Sequence, residues 1–120
     1  MKSLIIAAAL VLAPAAALAA DESGAWTLKG DIGNGAVTWS SVCTLKQDDA
    51  GKLSGSCKGT QQEDAAATGS VTGSTVEIVY DTTYQGSPVH LDYKGDVQSD
   101  GSLKGTVDTG GPQGTFIATK

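Results

Sequence analysis

From Trp26 onward apolar and polar positions alternate in short runs, and each run stops at a cluster of Gly, Asn, Asp or Ser. A period of two sends successive side chains to opposite faces of an extended backbone. Nothing in this stretch sustains a helical period near 3.6. The pattern predicts eight strands, over residues 26–32, 37–47, 53–58, 65–72, 75–82, 89–97, 102–107 and 114–119. Asn34-Gly35, Gly73-Ser74, Gln85-Gly86 and Ser99-Asp100-Gly101 supply hairpin signals between them. The expected fold is all-β, an eight-stranded antiparallel up-and-down barrel.

Register follows from the turns, because facing residues in a hairpin sum to a constant. Centring the first hairpin on Asn34-Gly35 pairs Ile32 with Val37, Gly30 with Trp39 and Trp26 with Cys43. Centring the next on Ala50 pairs Leu45 with Gly55 and Cys43 with Cys57. The Gly73-Ser74 turn sets Val71 against Val76 and Gly69 against Ile78. The Gln85-Gly86 turn sets Tyr80 against Leu91 and Ile78 against Tyr93. In each pair apolar meets apolar, or a large residue meets glycine, so independent turns define one inner face. Directly opposed cysteines on neighbouring antiparallel strands can reach disulfide geometry, which predicts a Cys43–Cys57 bridge.

The other face carries Thr27, Lys29, Asp31, Thr38, Lys58, Glu77, Asp92, Lys94, Lys104 and Thr106, and belongs in water. A membrane barrel needs the reverse arrangement, apolar outside and polar within, so a membrane-spanning protein is excluded. A faint phrase recurs as Leu28-Lys29-Gly30-Asp31, Cys57-Lys58-Gly59-Thr60, Tyr93-Lys94-Gly95-Asp96 and Leu103-Lys104-Gly105-Thr106. Its glycines fall on the inner face, where they would let a small closed sheet coil.

The residues before the first strand read differently. Lys2, the apolar stretch Leu4 to Leu12 and Ala17-Leu18-Ala19 form a secretory signal with an A-x-A cleavage pattern. The expected organisation is a signal peptide over 1–19 and a single domain over 20–120, periplasmic or secreted. Loss of Lys2 would move the formal charge from −5 to −6, and the chain has no arginine. Arginine is the preferred group for bidentate phosphate and guanine contacts, and nucleic-acid affinity rests on neutralising phosphate. Nucleic acid is therefore not an expected partner. Two cysteines in an oxidising compartment also favour a disulfide over a metal site.

Catalytic chemistry finds little footing. There is no G-x-S-x-G turn, and the one histidine, His90, takes the outward parity of its strand. Asp92 and Ser87 stand near it in sequence, yet a surface histidine is the simpler reading. Asp96 to Gly101 partly imitates a calcium loop, but Gln98 breaks the third ligand position and Val107 stands where the twelfth-position Glu belongs. Asp48-Asp49 reads as a turn. The expectation is no enzyme, no metal and no cofactor.

The inner-face aromatics Trp26, Trp39, Tyr80 and Tyr93 are the candidate ligand-binding residues. Small barrels can hold one small ligand inside, and the same rings can instead fill the core against glycines. Both readings stay open on the sequence.

Gly24-Ala25-Trp26 on the first strand resembles the G-x-W that opens lipocalins. Asp49-Ala50-Gly51-Lys52-Leu53-Ser54-Gly55 and Asp100-Gly101-Ser102-Leu103-Lys104-Gly105 are similar to hairpins of avidin-type barrels. Together they resemble the calycin-like meander barrels, a likeness that implies a binding protein for small apolar or planar ligands. The departure is the missing arginine that lipocalins pack over that tryptophan. The leading expectation is thus an exported module that binds such a ligand. The alternative is a protein-interaction module with a filled core, a hydrolase inhibitor or envelope adaptor, using loops such as Gln61 to Asp64 or Asp108 to Gln113.

Overall fold

A computed structural model describes residues 21–59 and 64–120; the predicted signal peptide lies outside them. Eight strands follow in order: β1 (Gly24–Ile32), β2 (Val37–Gln47), β3 (Lys52–Gly59), β4 (Ala65–Thr72), β5 (Thr75–Tyr84), β6 (Ser87–Val97), β7 (Leu103–Asp108) and β8 (Gln113–Thr119). Each pairs antiparallel with the next, and β1 pairs with β8 to close a meander barrel. Every facing pair expected from the turns is present, including Gly30 with Trp39, Cys43 with Cys57 and Ile78 with Tyr93. Strand bounds differ from expectation by two residues or fewer at each end, because pairing continues onto residues such as Tyr84 and Ser87 that alternation alone assigns to the turn.

The tight turns follow from local backbone chemistry. Asn34 and Gly35 both have positive φ, as do Gln85 and Gly86, which is what a type I′ hairpin demands. Across β2–β3, Asp48 Oδ1 accepts from the backbone N–H groups of Ala50 and Lys52. Asp100 Oδ1 likewise accepts from the N–H of Ser102 between β6 and β7. Of the Asp96 to Gly101 segment, Asp96 and Val97 end β6 and the rest is a turn, with Gly101 at a φ of 89°.

Alternation puts Trp26, Leu28, Leu45, Leu53, Val76, Ile78, Leu103, Val107, Phe116 and Ala118 in one buried core. The Cys43–Cys57 disulfide is formed within it. The repeated glycines have a more particular use than coiling. Trp39 lies so close over Gly30 that a Cβ there would sit 2.2 Å from its Cζ2, and the Phe116 ring covers Gly95 at 2.8 Å. Gly30 and Gly95 make room for rings, whereas Gly105 lets the β6 backbone approach.

The two ends of the barrel differ. At the end carrying the termini, residues 21–23 fold across the opening. Trp26 Nε1 donates to the Glu22 carbonyl at 2.8 Å, Glu22 N–H donates to Gln47 Oε1, and Gln47 N–H donates to Ser23 Oγ. Lys120 Nζ stands 5.1 Å from the Trp26 ring centroid, within cation–π reach. The opposite end carries the β1–β2, β5–β6 and β7–β8 connections, and among the described residues no segment folds across it as residues 21–23 do at the first.

Outward positions on the wall are held by Lys29, Lys58, Lys94, Lys104, Thr106 and Asp96, all exposed. That is the reverse of a lipid-facing band. Among the described residues no helix is long and apolar enough to cross a membrane.

Candidate functional site

The end opposite the termini is a cup of about 780 Å³, within the size range of small-molecule sites. Ile32 and Val37 at the β1–β2 hairpin, Val89 and Leu91 of β6, and Pro112 before β8 give it apolar walls. Tyr84 and the 109–112 connection form its rim. The inward parity of β2, β5 and β6 places Trp39, Ser41 and Tyr80 at its floor.

That floor is a hydrogen-bonded chain crossing the barrel. Trp39 Nε1–H donates to Tyr93 Oη at 2.8 Å, the Tyr93 and Tyr80 hydroxyls are 2.9 Å apart, and Tyr80 Oη is 2.7 Å from Ser41 Oγ. The tyrosine rings stack at 5.8 Å, and Phe116 meets Tyr93 edge-on at 5.1 Å. Burial pushes both phenols above the usual tyrosine range; for Tyr93 the neighbouring Tyr80 adds to the effect. The floor is therefore polar, and no Asp, Glu, Lys, Arg or His is among the described residues lining the cup.

The four predicted aromatics divide between the two halves of the barrel. Trp39 and Tyr80 line the cup, and Tyr93 braces both from directly behind. Trp26 lies in the sealed half, fully buried beside the disulfide strand and roofed by Lys120. Of the two loops considered for protein contact, 108–113 rims the cup, and Gln61 to Glu63 lie outside the described residues.

Sequence reasoning passed over Ser41. It has inward parity between Trp39 and Cys43, yet a serine does not read as part of an apolar face. The parity itself was the signal. Also missed was the partner of His90, whose Nδ1 lies 2.6 Å from Asp81 Oδ1 across β5–β6. Cross-strand pairing supplies that neighbour, whereas sequence proximity offered Asp92 and Ser87. The Asp81 hydrogen bond holds the imidazole above its usual range. Both side chains are well exposed and outside the cup.

A larger concavity, about 980 Å³, lies on β7, β8, β1 and β2 and reaches Gly30, Trp39, Gly105 and Phe116 between outward side chains. Its sides are the outward Lys29, Thr38, Lys104, Thr115 and Thr119, all solvated, and no buried polar group converges on it. The cup joins apolar walls to a buried polar floor, and is the better candidate on chemistry. Among the described residues no cluster of three His, Cys, Asp or Glu side chains offers a metal site.

Comparison with known proteins adds no assignment: no family model, no curated protein and no solved structure matches this chain.

Proposed function

We propose that this chain is an exported, calycin-like binding module whose open cup takes a small apolar or planar ligand. The observation that carries the reading is the asymmetry of the barrel among the described residues, packed at one end and concave at the other. A core evolved only for packing gains nothing from a void, since unfilled apolar volume forfeits dispersion contacts. Export is supported by the signal pattern at residues 1–19 and by the disulfide, which persists in oxidising compartments. The uncharged lining favours a ligand that is itself largely apolar.

Titration with N-phenyl-1-naphthylamine, a neutral planar fluorophore, tests this directly. The expected outcome is a saturable one-to-one rise in probe emission with quenching of Trp39, while Trp26 in the sealed half is unaffected. Trp39→Ala should weaken binding about tenfold or more, as loss of a buried aromatic anchor does, with the barrel still folded by circular dichroism. A non-saturating response that is indifferent to Trp39→Ala would reject the cup as a ligand site.

A further inference from the structure

We infer that a second copy of this chain docks against the lysine-bearing wall centred on β1 through its own carboxylate-bearing β5–β6 wall, so that barrels associate side by side.

Charge on the outer wall is divided by strand. Lys29, Lys46, Lys52, Lys58 and Lys104 stand on β1, β2, β3 and β7, and Lys94 is the one strand lysine elsewhere. Strand carboxylates take the other side, with Glu77 and Asp81 on β5 and Asp92 and Asp96 on β6, against Asp31 and Asp108 elsewhere. In a closed meander of eight strands, β5 lies half-way round the barrel from β1. The molecule is thus cationic on one side, although the net charge of the chain is −5. One copy cannot bring its own two faces together.

The lysine side also carries apolar surface to bury. Register sets Ile117 between Lys29 and Lys104, and Val42 between Thr27 and Lys58. Ile117 is 48% exposed and Val42 47%. The other exposed large apolar residues among those described, Val37 and Tyr84, lie at the cup end. Lys29, Lys104 and Ile117 line the concavity of about 980 Å³, a recess that a convex barrel wall can enter. Among the described residues neither Lys29 nor Lys58 forms an ion pair. Across the barrel, Lys94 pairs with Glu77 and His90 with Asp81, which leaves the exposed Asp96 without an ion pair. Opposite potentials steer two surfaces together and fix their orientation, whereas like faces repel. The contact is therefore heterologous, and because the two faces point in opposite directions it repeats as an open chain. Both faces lie on the wall, so the cup mouths stay free.

Sedimentation velocity of the intact protein tests this. The sedimentation coefficient should rise with protein concentration at about 10 mM salt, where charges are felt over about 30 Å. It should return to the monomer value at about 1 M salt, where that length is about 3 Å. Lys29→Glu combined with Lys104→Glu should weaken association about tenfold or more, and so should Asp81→Lys combined with Asp96→Lys. Mixing the two double variants should restore it, because the carboxylate wall of the first still meets the lysine wall of the second. A protein that stays monomeric at low salt overturns the inference, and does so in favour of an anionic polymer if it then binds dextran sulfate. Association that ignores salt, or that survives both double reversals, overturns it as well. If a variant does not fold by circular dichroism, the salt response of the intact protein decides alone.

Discussion

Gly30 and Trp39 define the cup by what one of them lacks. The indole occupies the space a β-carbon at residue 30 would need, with three ring atoms closer than 3.0 Å to that position. Gly30→Ala should therefore push the ring off its seat and break its bond to Tyr93. Overpacking of this kind costs about 1–3 kcal/mol, readable as a lower denaturant midpoint with a shift in Trp39 emission. The Gly30–Trp39 pair was legible in the sequence, because hairpin arithmetic needs only the turn. That Trp39 bonds to Tyr93 was not, since the two are 54 residues apart and meet across the barrel.

On the β5–β6 pair, the outer faces set carboxylates against one another as well as against bases. Glu77 faces Lys94, and Asp92 lies on the neighbouring rung opposite Val79. Asp92 beside Glu77, aided by burial, holds the Glu77 carboxyl above its usual range, with Lys94 Nζ at 4.0 Å pulling the other way. Asp92 Oδ1 is shut off from solvent without a donor, which a proton on Glu77 would supply. A raised native-state pKa means the folded form holds this proton more tightly than the unfolded chain. The associated stability is complete below the ordinary glutamate range, about pH 4, and is lost as pH rises through the native value. Glu77→Gln should then melt a few degrees above the parent at pH 7, an advantage that shrinks towards pH 4. Equal melting shifts at both pH values would mean that Asp92 does not govern the Glu77 proton. Alternation located both residues on the outer face; only the diagonal geometry of a twisted pair revealed the like-charge contact.

At the level of the whole barrel, stability and the cup compete for the same few large side chains. One Phe, two Trp and three Tyr serve the chain, and the concave end leaves part of the interior without packing. The disulfide compensates by tying β2 to β3 across a separation of 14 residues. A loop of that length is worth about 3 kcal/mol in the chain-entropy account, a large share of the roughly 5–15 kcal/mol typical of a domain. Reduction should lower the melting temperature by about 10–20 °C, measured by calorimetry with and without reductant. An unchanged melting temperature would mean that the packed half holds the barrel unaided.

Strand number, register, the inner face and the cysteine pairing were set by the sequence itself. Each depends on neighbours in the chain, turn chemistry and a period of two, which are local properties. The register in which β8 closes onto β1, the plugging of one end by residues 21–23, and the Trp39–Tyr93–Tyr80–Ser41 chain were decided by tertiary structure alone. They join residues brought together by curvature, and no local rule records how far a sheet must bend before its ends and its inward side chains meet.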